Sequence, residues 1–448
     1  MNNSIIVTSL LEKIAEQVDG AELYESRSQR LPVQFRAGTL ESVKSVETAG
    51  RALRVIKDGR LGYSTTTDLS DDKTVVQNAF ESAQFGDFAP FEFPHQPVVQ
   101  PVQCFDLQVE QLDESALIAL GEAVVEQVKA YDPQLQVDVS IGKRVEEVRL
   151  LNTSGLQLGD RRTMLDISIE VTRAREGDIL IVYDEAASRQ RQAVDGVKLA
   201  EGIVERLRWA DEVVAVESKA MPVVFNLMGV PALLLPLMMG LNGRNVLLNV
   251  SPLGSKLGQP VFDERFTLND DGRLDMASRS APYDDEGTPT SAKSLIEQGV
   301  VRQFIYDLKT AGQAKTAPTG NGWKSDILGG GGFRTLPGVA PANWLVQPGK
   351  KSLGQILRDL DEALLVEQVI GLGQGNIFAG EFSNNVSLGY LVRKGEIVGR
   401  VKNTMIAGNV YDLLKDKLIA LSNRPRWIAG MLYAPAIAVD GVSVASKS

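Results

Sequence analysis

Apolar and polar residues alternate with a period of two over most of the first half of the chain, between stretches of helical period. The helical periods lie at 9–18, 73–84, 114–130 and 193–209, and Ser70 and Asp113 are the predicted N-caps of the second and third. The predicted strands lie at 21–26, 31–36, 40–46, 52–56, 61–66, 136–141, 146–152, 164–172 and 178–183. The order of helix, strands and helix occurs twice, which predicts antiparallel sheets with flanking helices.

The second half of the chain has a different pattern. Short alternating segments separated by glycine follow residue 277, and helical periods are few. We therefore predict an α+β fold with an N-terminal α+β region at 1–215 and a mainly antiparallel, barrel-like β-rich domain at 220–448. The N-terminal region is interpreted as two similar halves, 1–90 and 105–215, joined by a proline-rich connector.

One apolar stretch, at 221–241, has the length of a membrane span. Proline and glycine interrupt it five times, so we interpret it as a buried strand, a turn and a short buried helix. The first residues lack the basic segment and long apolar core of a signal peptide. These observations predict a cytoplasmic protein that does not bind a membrane.

Charge and composition exclude several classes of function. The 448 residues carry a formal net charge of −10, which argues against nucleic-acid binding because that requires a basic face. The chain has one histidine, His95, and one cysteine, Cys104. A zinc site built on several imidazole or thiolate ligands therefore cannot form within this chain, and a Ser-His-Asp triad could use only His95.

The densest group of carboxylates is Asp284, Asp285 and Glu286. Prolines and a glycine surround the group, which favours a solvated turn. The three side chains are also predicted to contact a peptide or a second subunit. A hydrolase that uses them with Mg²⁺ or Ca²⁺ is an alternative. Glycine-rich runs at 328–333 and 371–376 match neither a P-loop nor a dinucleotide fingerprint, so mobile loops or close backbone packing are expected there.

Three segments, taken in order, resemble the TldD/PmbA family, and specifically its PmbA (TldE) branch. They are GRALRVIKDGRLGYSTTTD at 50–68, APYDDEGTPT at 281–290, and GEFS at 380–383 with the residues that follow to 409. Their order and spacing are similar to those of the family from about residue 21 onwards. The resemblance implies an N-terminal α+β region followed by a β-rich C-terminal domain.

In the TldD branch the resemblance implies an HExxxH helix, whose two histidines hold zinc together with a later cysteine and whose glutamate acts as a general base. The matching positions here are Leu234, Leu235 and Met239, and no cysteine lies in the matching region near 371–376. The resemblance therefore implies a chain with no catalytic residue, no metal and no cofactor at this place.

The expected function is that of a non-catalytic subunit of a TldD-type zinc peptidase that acts on unfolded peptides, in peptide maturation and antitoxin turnover. The expected partners are a TldD-like zinc-bearing subunit, in a heterodimer, or a second copy of this chain, together with an unfolded peptide. Two alternatives stay open: a homodimeric peptide-binding protein without protease activity, and an indirect modulator of DNA gyrase.

Overall fold

β-Sheets dominate the computed structural model, which describes residues 10–324 and 331–446. About 42% of residues are in strands and 23% in helices, and the C-terminal region contains a closed five-stranded barrel. These findings confirm the predicted α+β class and the barrel-like C-terminal domain.

The N-terminal region forms one continuous antiparallel sheet. Its strands are β1 (Gly20–Arg36), β2 (Thr39–Val43), β3 (Val46–Lys57), β4 (Arg60–Thr66), β5 (Gln136–Asn152), β6 (Gln157–Arg175) and β7 (Asp178–Ser188). They lie in the order β4-β3-β1-β5-β6-β7, and β2 pairs with the far end of β1. The predicted halves 1–90 and 105–215 thus contribute to the same sheet, and their similarity to each other stays a prediction.

Two strands of this sheet are longer than the sequence pattern predicts. Segments 21–26 and 31–36 are a single strand, β1, and segments 136–141 and 146–152 are a single strand, β5. β1 and β5 pair without interruption from Glu22 with Asn152 to Phe35 with Val139. Because each strand satisfies the other's backbone groups along this ladder, the polar residues in the middle do not end either strand.

The helices beside the N-terminal sheet whose bounds both lie in the described residues are α1 (Asp72–Ala83), α2 (Leu107–Glu110), α3 (Glu114–Tyr131) and α4 (Gly196–Trp209), and residues 10–14 are helical as well. The side chain of Asp113 accepts a hydrogen bond from the amide of Ala116 and caps α3 as predicted. Helix α1 is capped by Asp71 rather than by Ser70, because Asp71 accepts a hydrogen bond from the amide of Thr74.

The C-terminal region contains the remaining strands in three sheets. They are β8 (Lys219–Met228), β9 (Leu268–Asp271), β10 (Ala292–Glu297), β11 (Val300–Val301), β12 (Gly322–Trp323), β13 (Gly338–Val339), β14 (Trp344–Val346), β15 (Glu362–Ile370), β16 (Glu381–Arg393), β17 (Glu396–Arg400), β18 (Thr404–Asn409), β19 (Leu418–Leu421), β20 (Arg426–Ile428), β21 (Leu432–Ala434) and β22 (Ile437–Ser446). Strands β15, β8, β22, β18 and β16 form the barrel, which closes where β15 pairs with β16.

A second sheet, in the order β11-β10-β9-β14-β21-β20, and the pair β12–β13 lie outside the barrel. The helices of this region are α5 (Pro231–Leu241), α6 (Gly243–Leu247), α7 (Leu308–Ala314), α8 (Leu353–Arg358) and α9 (Val410–Asp416). The apolar stretch at 221–241 is a strand followed by a short buried helix, as predicted. Within residues 10–324 and 331–446, no helix has both the length and the apolar character needed to cross a membrane.

The apolar core continues from the N-terminal sheet into the barrel. Residues of β5, β6 and the helices α3 and α4 share one cluster with Leu365, Leu388 and Tyr390 of the barrel. Tyr390 is fully buried, and its hydroxyl donates a hydrogen bond of 2.7 Å to the carbonyl of Arg206 in α4. The barrel and the N-terminal sheet are therefore joined by packing as well as by the chain.

Candidate functional site

A cavity of about 760 Å³ lies in the C-terminal region. Its walls come from α5, from the pair β12–β13, from the loop after β15 and from the turn between β20 and β21. The larger apolar residues that line it include Met228, Leu235, Met238, Met239, Trp323, Leu336, Leu372, Met431 and Leu432. Such a space, enclosed mostly by apolar side chains with few polar groups, is typical of a site for a small ligand or a peptide side chain.

Helix α5 supplies the wall that the family resemblance singles out. The helix begins at Pro231, whose fixed φ and missing amide hydrogen suit the first helical position. Leu235 and Met239 are four residues apart, so they share one face of the helix, and both line the cavity. Leu234 is fully buried in the core instead.

The residues at this wall do not fit the zinc ion that the resemblance implies for the TldD branch. Zinc in proteins is held by thiolate, imidazole and carboxylate groups, and a leucine side chain offers none of these. The thioether of Met239 is a soft donor without charge. Across residues 10–324 and 331–446, no three His, Cys, Asp or Glu side chains are placed so that they could hold a metal ion together. No step of a reaction is therefore assigned to a metal here.

The glycine-rich run at 371–376 lies at the same cavity. Leu372 and Gly373 line it, so the cavity brings together the two segments that the family resemblance matches to the zinc helix and to the later cysteine of the TldD branch. Gly371, Gly373 and Gly375 all have φ between 87° and 94°, a conformation that favours glycine. Of the other run, residues 328–330 lie outside the described residues, and Gly331 lines the cavity.

The acidic group at 284–286 is buried, so the expectation of a solvated turn is wrong. Asp284, Asp285 and Glu286 are 0%, 7% and 1% exposed. One oxygen of Asp284 accepts hydrogen bonds from the amides of Glu286 and Thr288, at 3.0 and 2.9 Å. The backbone of the turn and the neighbouring segment therefore replace the water that the sequence pattern suggests.

Glu286 links the C-terminal region to the N-terminal sheet. Its carboxylate lies 2.5 Å from Arg54 of β3, and the same guanidinium lies 2.9 Å from Glu22 of β1. The second oxygen of Glu286 accepts a hydrogen bond of 2.7 Å from the amide of Leu308 at the start of α7. The three charged side chains are at most 5% exposed, so this is a buried charge network with partners for both carboxylates.

Asp284 and Asp285 hold the strand that forms part of the cavity wall. The amide of Gly322 donates to Asp284 at 2.8 Å, and the amide of Lys324 donates to Asp285 at 2.8 Å. The residue between them, Trp323, lines the cavity together with Lys324. The observed partners of the carboxylates all belong to this chain, and a contact between them and a peptide or a second subunit stays a prediction.

Burial shifts the pKa values of these groups away from their usual range. It raises the pKa of Asp284, with a contribution from the nearby charge of Glu286, and it raises the pKa of Asp285. Burial also raises the pKa of Glu286 to about 6, although the guanidinium of Arg54 opposes the shift. The carboxylates are thus costly to ionise, and their hydrogen bonds compensate part of that cost.

Lys324 is the charged side chain among the described residues that line the cavity. It is 2% exposed, and its ammonium donates to the carbonyl of Thr335 at 3.0 Å and to the hydroxyl of Tyr63 at 3.3 Å. The ammonium also lies 4.9 Å from the centre of the Tyr24 ring and 5.0 Å from that of Tyr63. Burial, followed by repulsion from Arg54, lowers the pKa of Lys324 to about 8.

His95 and Cys104 lie apart from this site. His95 is exposed, and its Nδ1 lies 3.0 Å from the carbonyl of Ser154. Cys104 is buried, its thiol donates to the carbonyl of Ser280, and burial raises the pKa of that thiol. Neither residue lines the cavity.

The sequence pattern alone did not identify Lys324, Trp323 or the methionines as parts of one site. Four of the nine methionines of the chain line the cavity: Met228, Met238, Met239 and Met431. Three of them fall close together around α5, and this local enrichment was the available signal. Met431 and Lys324 reach the cavity through tertiary packing that has no local signature.

Comparison with known proteins identifies the family. Residues 21–83 match the PmbA/TldA metallopeptidase domain 1, residues 108–214 match the central domain, and residues 218–446 match the C-terminal domain. The chain therefore belongs to the TldD/PmbA family of metallopeptidases.

Two relatives and one solved structure illustrate what this chain is similar to. An uncharacterized protein of Methanocaldococcus jannaschii is 27% identical over 93% of this chain and 94% of its own length. The metalloprotease PmbA of Escherichia coli O157:H7 is 24% identical over 92% of this chain and 89% of its own length. The crystal structure of TldE from Thermococcus kodakarensis has a TM-score of 0.88 and 23% identity, covers 98% of this chain and 100% of its own, and shows the same fold.

Proposed function

We propose that this chain is the zinc-free subunit of a TldD-type peptidase, in which it holds the unfolded peptide while a TldD-like subunit supplies the zinc site. The observation that carries the proposal is the cavity wall formed by α5. At the place of two metal ligands and a general base, this chain has Leu234, Leu235 and Met239. The general base position, Leu235, faces the cavity with a side chain that cannot accept a proton.

The chemistry of the cavity supports a role in peptide binding. A space of about 760 Å³ accommodates one or two apolar side chains of a peptide, and its wall is mostly apolar. Methionine is unbranched and polarisable, so a wall with four methionines adapts to side chains of different shape. A subunit that acts on many unfolded peptides needs such tolerance more than it needs a rigid pocket.

The experiment is a pull-down of the tagged full chain from its source cells, followed by mass spectrometry, metal analysis and a peptidase assay on an unfolded casein substrate. We expect a chain of similar size with an HExxxH motif at equal stoichiometry. We also expect about one zinc per heterodimer, and cleavage by the complex but not by the purified chain alone.

Two outcomes would contradict the proposal. The first is a purified chain that binds stoichiometric metal and cleaves peptides without a partner. The second is recovery of this chain alone as a two-fold dimer that binds peptides, which would support the homodimeric peptide-binding function instead. The variant Met239→Trp, whose larger side chain fills the cavity, separates partner binding from peptide binding. It should still bind the partner, whereas cleavage by the complex should fall.

A further inference from the structure

Within residues 10–324 and 331–446, the buried ammonium of Lys324 has no carboxylate partner. Among the described residues, no Asp or Glu oxygen lies within 4.0 Å of this nitrogen, and its two hydrogen-bond partners, Thr335 and Tyr63, are neutral. Arg54, whose charge acts on this ammonium, has by contrast two acidic partners, Glu22 and Glu286. A buried charge without a counter-ion is costly, and a bound anion removes that cost.

The position of this charge defines what a ligand must carry. Lys324 and the Thr335 that accepts its hydrogen bond both line the cavity, whose remaining wall is mostly apolar. The described residues supply acceptors for two of the three hydrogens of the ammonium, which leaves one hydrogen without an acceptor among those residues. The complementary ligand combines one apolar group with one carboxylate.

We propose that the cavity binds the C-terminal residue of a peptide, with the terminal carboxylate on the ammonium of Lys324 and the apolar terminal side chain against Met239 and Leu235. This inference rests on the proposed function, since it names the part of the peptide that this subunit recognises. A C-terminal carboxylate lies next to its own side chain, which matches a single cation at the edge of an apolar wall. An ion pair between the peptide's terminal carboxylate and this ammonium, shielded from water, then favours the C-terminus of a peptide over an internal segment.

Neighbouring charges act on the ammonium without pairing with it in the described part of the chain. Arg54 repels it, whereas Glu22, Asp285 and Glu286 attract it from beyond ion-pair distance. Those carboxylates are themselves held, by Arg54 and by backbone amides. The lowered pKa of Lys324, about 8, is consistent with a cation that lacks a direct counter-ion and still carries its proton near neutral pH.

The test measures fluorescence anisotropy with the purified full chain and a fluorescein-labelled hexapeptide that ends in leucine. Three forms of the probe are compared: the free acid, the C-terminal amide, and an amide in which glutamate precedes the final leucine. We expect the free acid to bind at least about tenfold more tightly than either amide. Equal affinity for the free acid and the simple amide overturns the proposal and leaves peptide binding itself intact. Tight binding of the glutamate-containing amide also overturns it, because the ammonium would then recognise a side-chain carboxylate and not the terminal one.

Two variants separate the charge from the apolar wall. Lys324→Met should lower the affinity for the free acid to that for the amide and leave the amide unchanged, whereas Met239→Trp should lower both in parallel. A measurement on the wild-type chain covers the case in which Lys324→Met fails to fold: the preference for the acid should decline as the pH rises above 8. A preference for the acid that stays constant to pH 10 overturns the proposal. If none of the probes binds, the proposal is overturned as well. That last result would also remove peptide binding from the proposed function, but it would not affect the proposed pairing with a zinc-bearing subunit.

Discussion

The apolar cavity and the acidic network beside it differ in the kind of residue that each buries and in the polar partners that those residues need. At the cavity, the positions of metal ligands and general base carry Leu235 and Met239, which need no polar partner. At the network, Asp284, Asp285 and Glu286 keep their carboxylates, and hydrogen bonds or ion pairs reach all three side chains. The cavity wall is thereby free to contact a ligand, whereas the carboxylates hold the protein together.

The segment 322–324 joins the two regions. Its amides bind Asp284 and Asp285, and its side chains Trp323 and Lys324 line the cavity. Acidic residues near a candidate site can therefore act as positioning residues, fixing the backbone that carries the contact residues. This interpretation also explains why a dense group of carboxylates in the sequence is not, in the described structure, part of a metal site.

The largest expected effect comes from removing the cation of the network. Arg54→Met leaves Glu22 and Glu286 buried without their shared guanidinium, and it should lower the free energy of unfolding by about 3–5 kcal/mol. Urea unfolding followed by circular dichroism measures this change. The matched control is Arg302→Met, at an exposed ion pair with Glu297, which should cost less than about 1 kcal/mol. Equal costs would show that the network does not stabilise the fold.

The next effect distinguishes two neighbouring leucines on α5. Leu234 is fully buried, so Leu234→Ala should cost about 2–5 kcal/mol through lost burial and a new void. Leu235 is half-buried and already borders a cavity, so Leu235→Ala should cost about 1 kcal/mol or less. Thermal and urea unfolding of both variants test this order. The reverse order would contradict the placement of Leu235 at the cavity wall.

A smaller effect tests the contact between the acidic network and the cavity wall. A β-carbon at Gly322 would come within 2.2 Å of a carboxylate oxygen of Glu286, so Gly322→Ala should cost about 1–3 kcal/mol and should shift Trp323 at the cavity wall. Gly338 lies on the facing strand β13, where it pairs with Trp323, and it has open space around it, so Gly338→Ala is the control. We expect a change within about 0.5 kcal/mol for the control, measured by urea unfolding, together with an unchanged tryptophan emission.

The smallest effect is a dependence of stability on pH at the cavity. Burial lowers the pKa of Lys324 from 10.5 to about 8, so between these values the unfolded chain binds its proton more tightly than the folded chain. Stability relative to Lys324→Met should therefore rise by about 1–2 kcal/mol as the pH increases from 8 to 9.5. Urea titrations at both pH values measure the difference.

Lys309→Met, which removes one positive charge at an exposed ion pair with Asp87, controls for the loss of net charge. Its stability difference from the wild type should change by less than that of Lys324→Met over the same pH range. A constant difference for Lys324→Met would mean that its ammonium is as well solvated in the folded chain as in the unfolded chain.

The sequence predicted the parts of the fold whose signals are local. Asp113 and the helix that follows it were predicted because a capping carboxylate and a helical period lie within one segment. The strand and helix at 221–241 were predicted because proline and glycine divide an apolar stretch. The continuous strand β1 was not predicted, because its polar middle is held by β5, more than a hundred residues away in sequence.

The candidate site was predictable only in part. The family resemblance pointed to Leu234, Leu235, Met239 and the loop near 371, and all of these except the buried Leu234 line the cavity. The burial of Asp284 and Glu286 was missed, because proline and glycine around a run of acids normally indicate a solvated turn. Their partners, Gly322 and Arg54, are distant in sequence, and composition gives no signal of such an arrangement.

The central place of β22 in the barrel has a consequence for how the chain folds. This strand spans Ile437–Ser446 and lies between β8, which begins at Lys219, and β18. During synthesis the ribosome must add about two hundred residues after β8 before its neighbour exists. Until then one edge of β8 lacks its pairing strand, so the nascent domain is open to misassociation, and closure of the barrel is a late, slow event of folding.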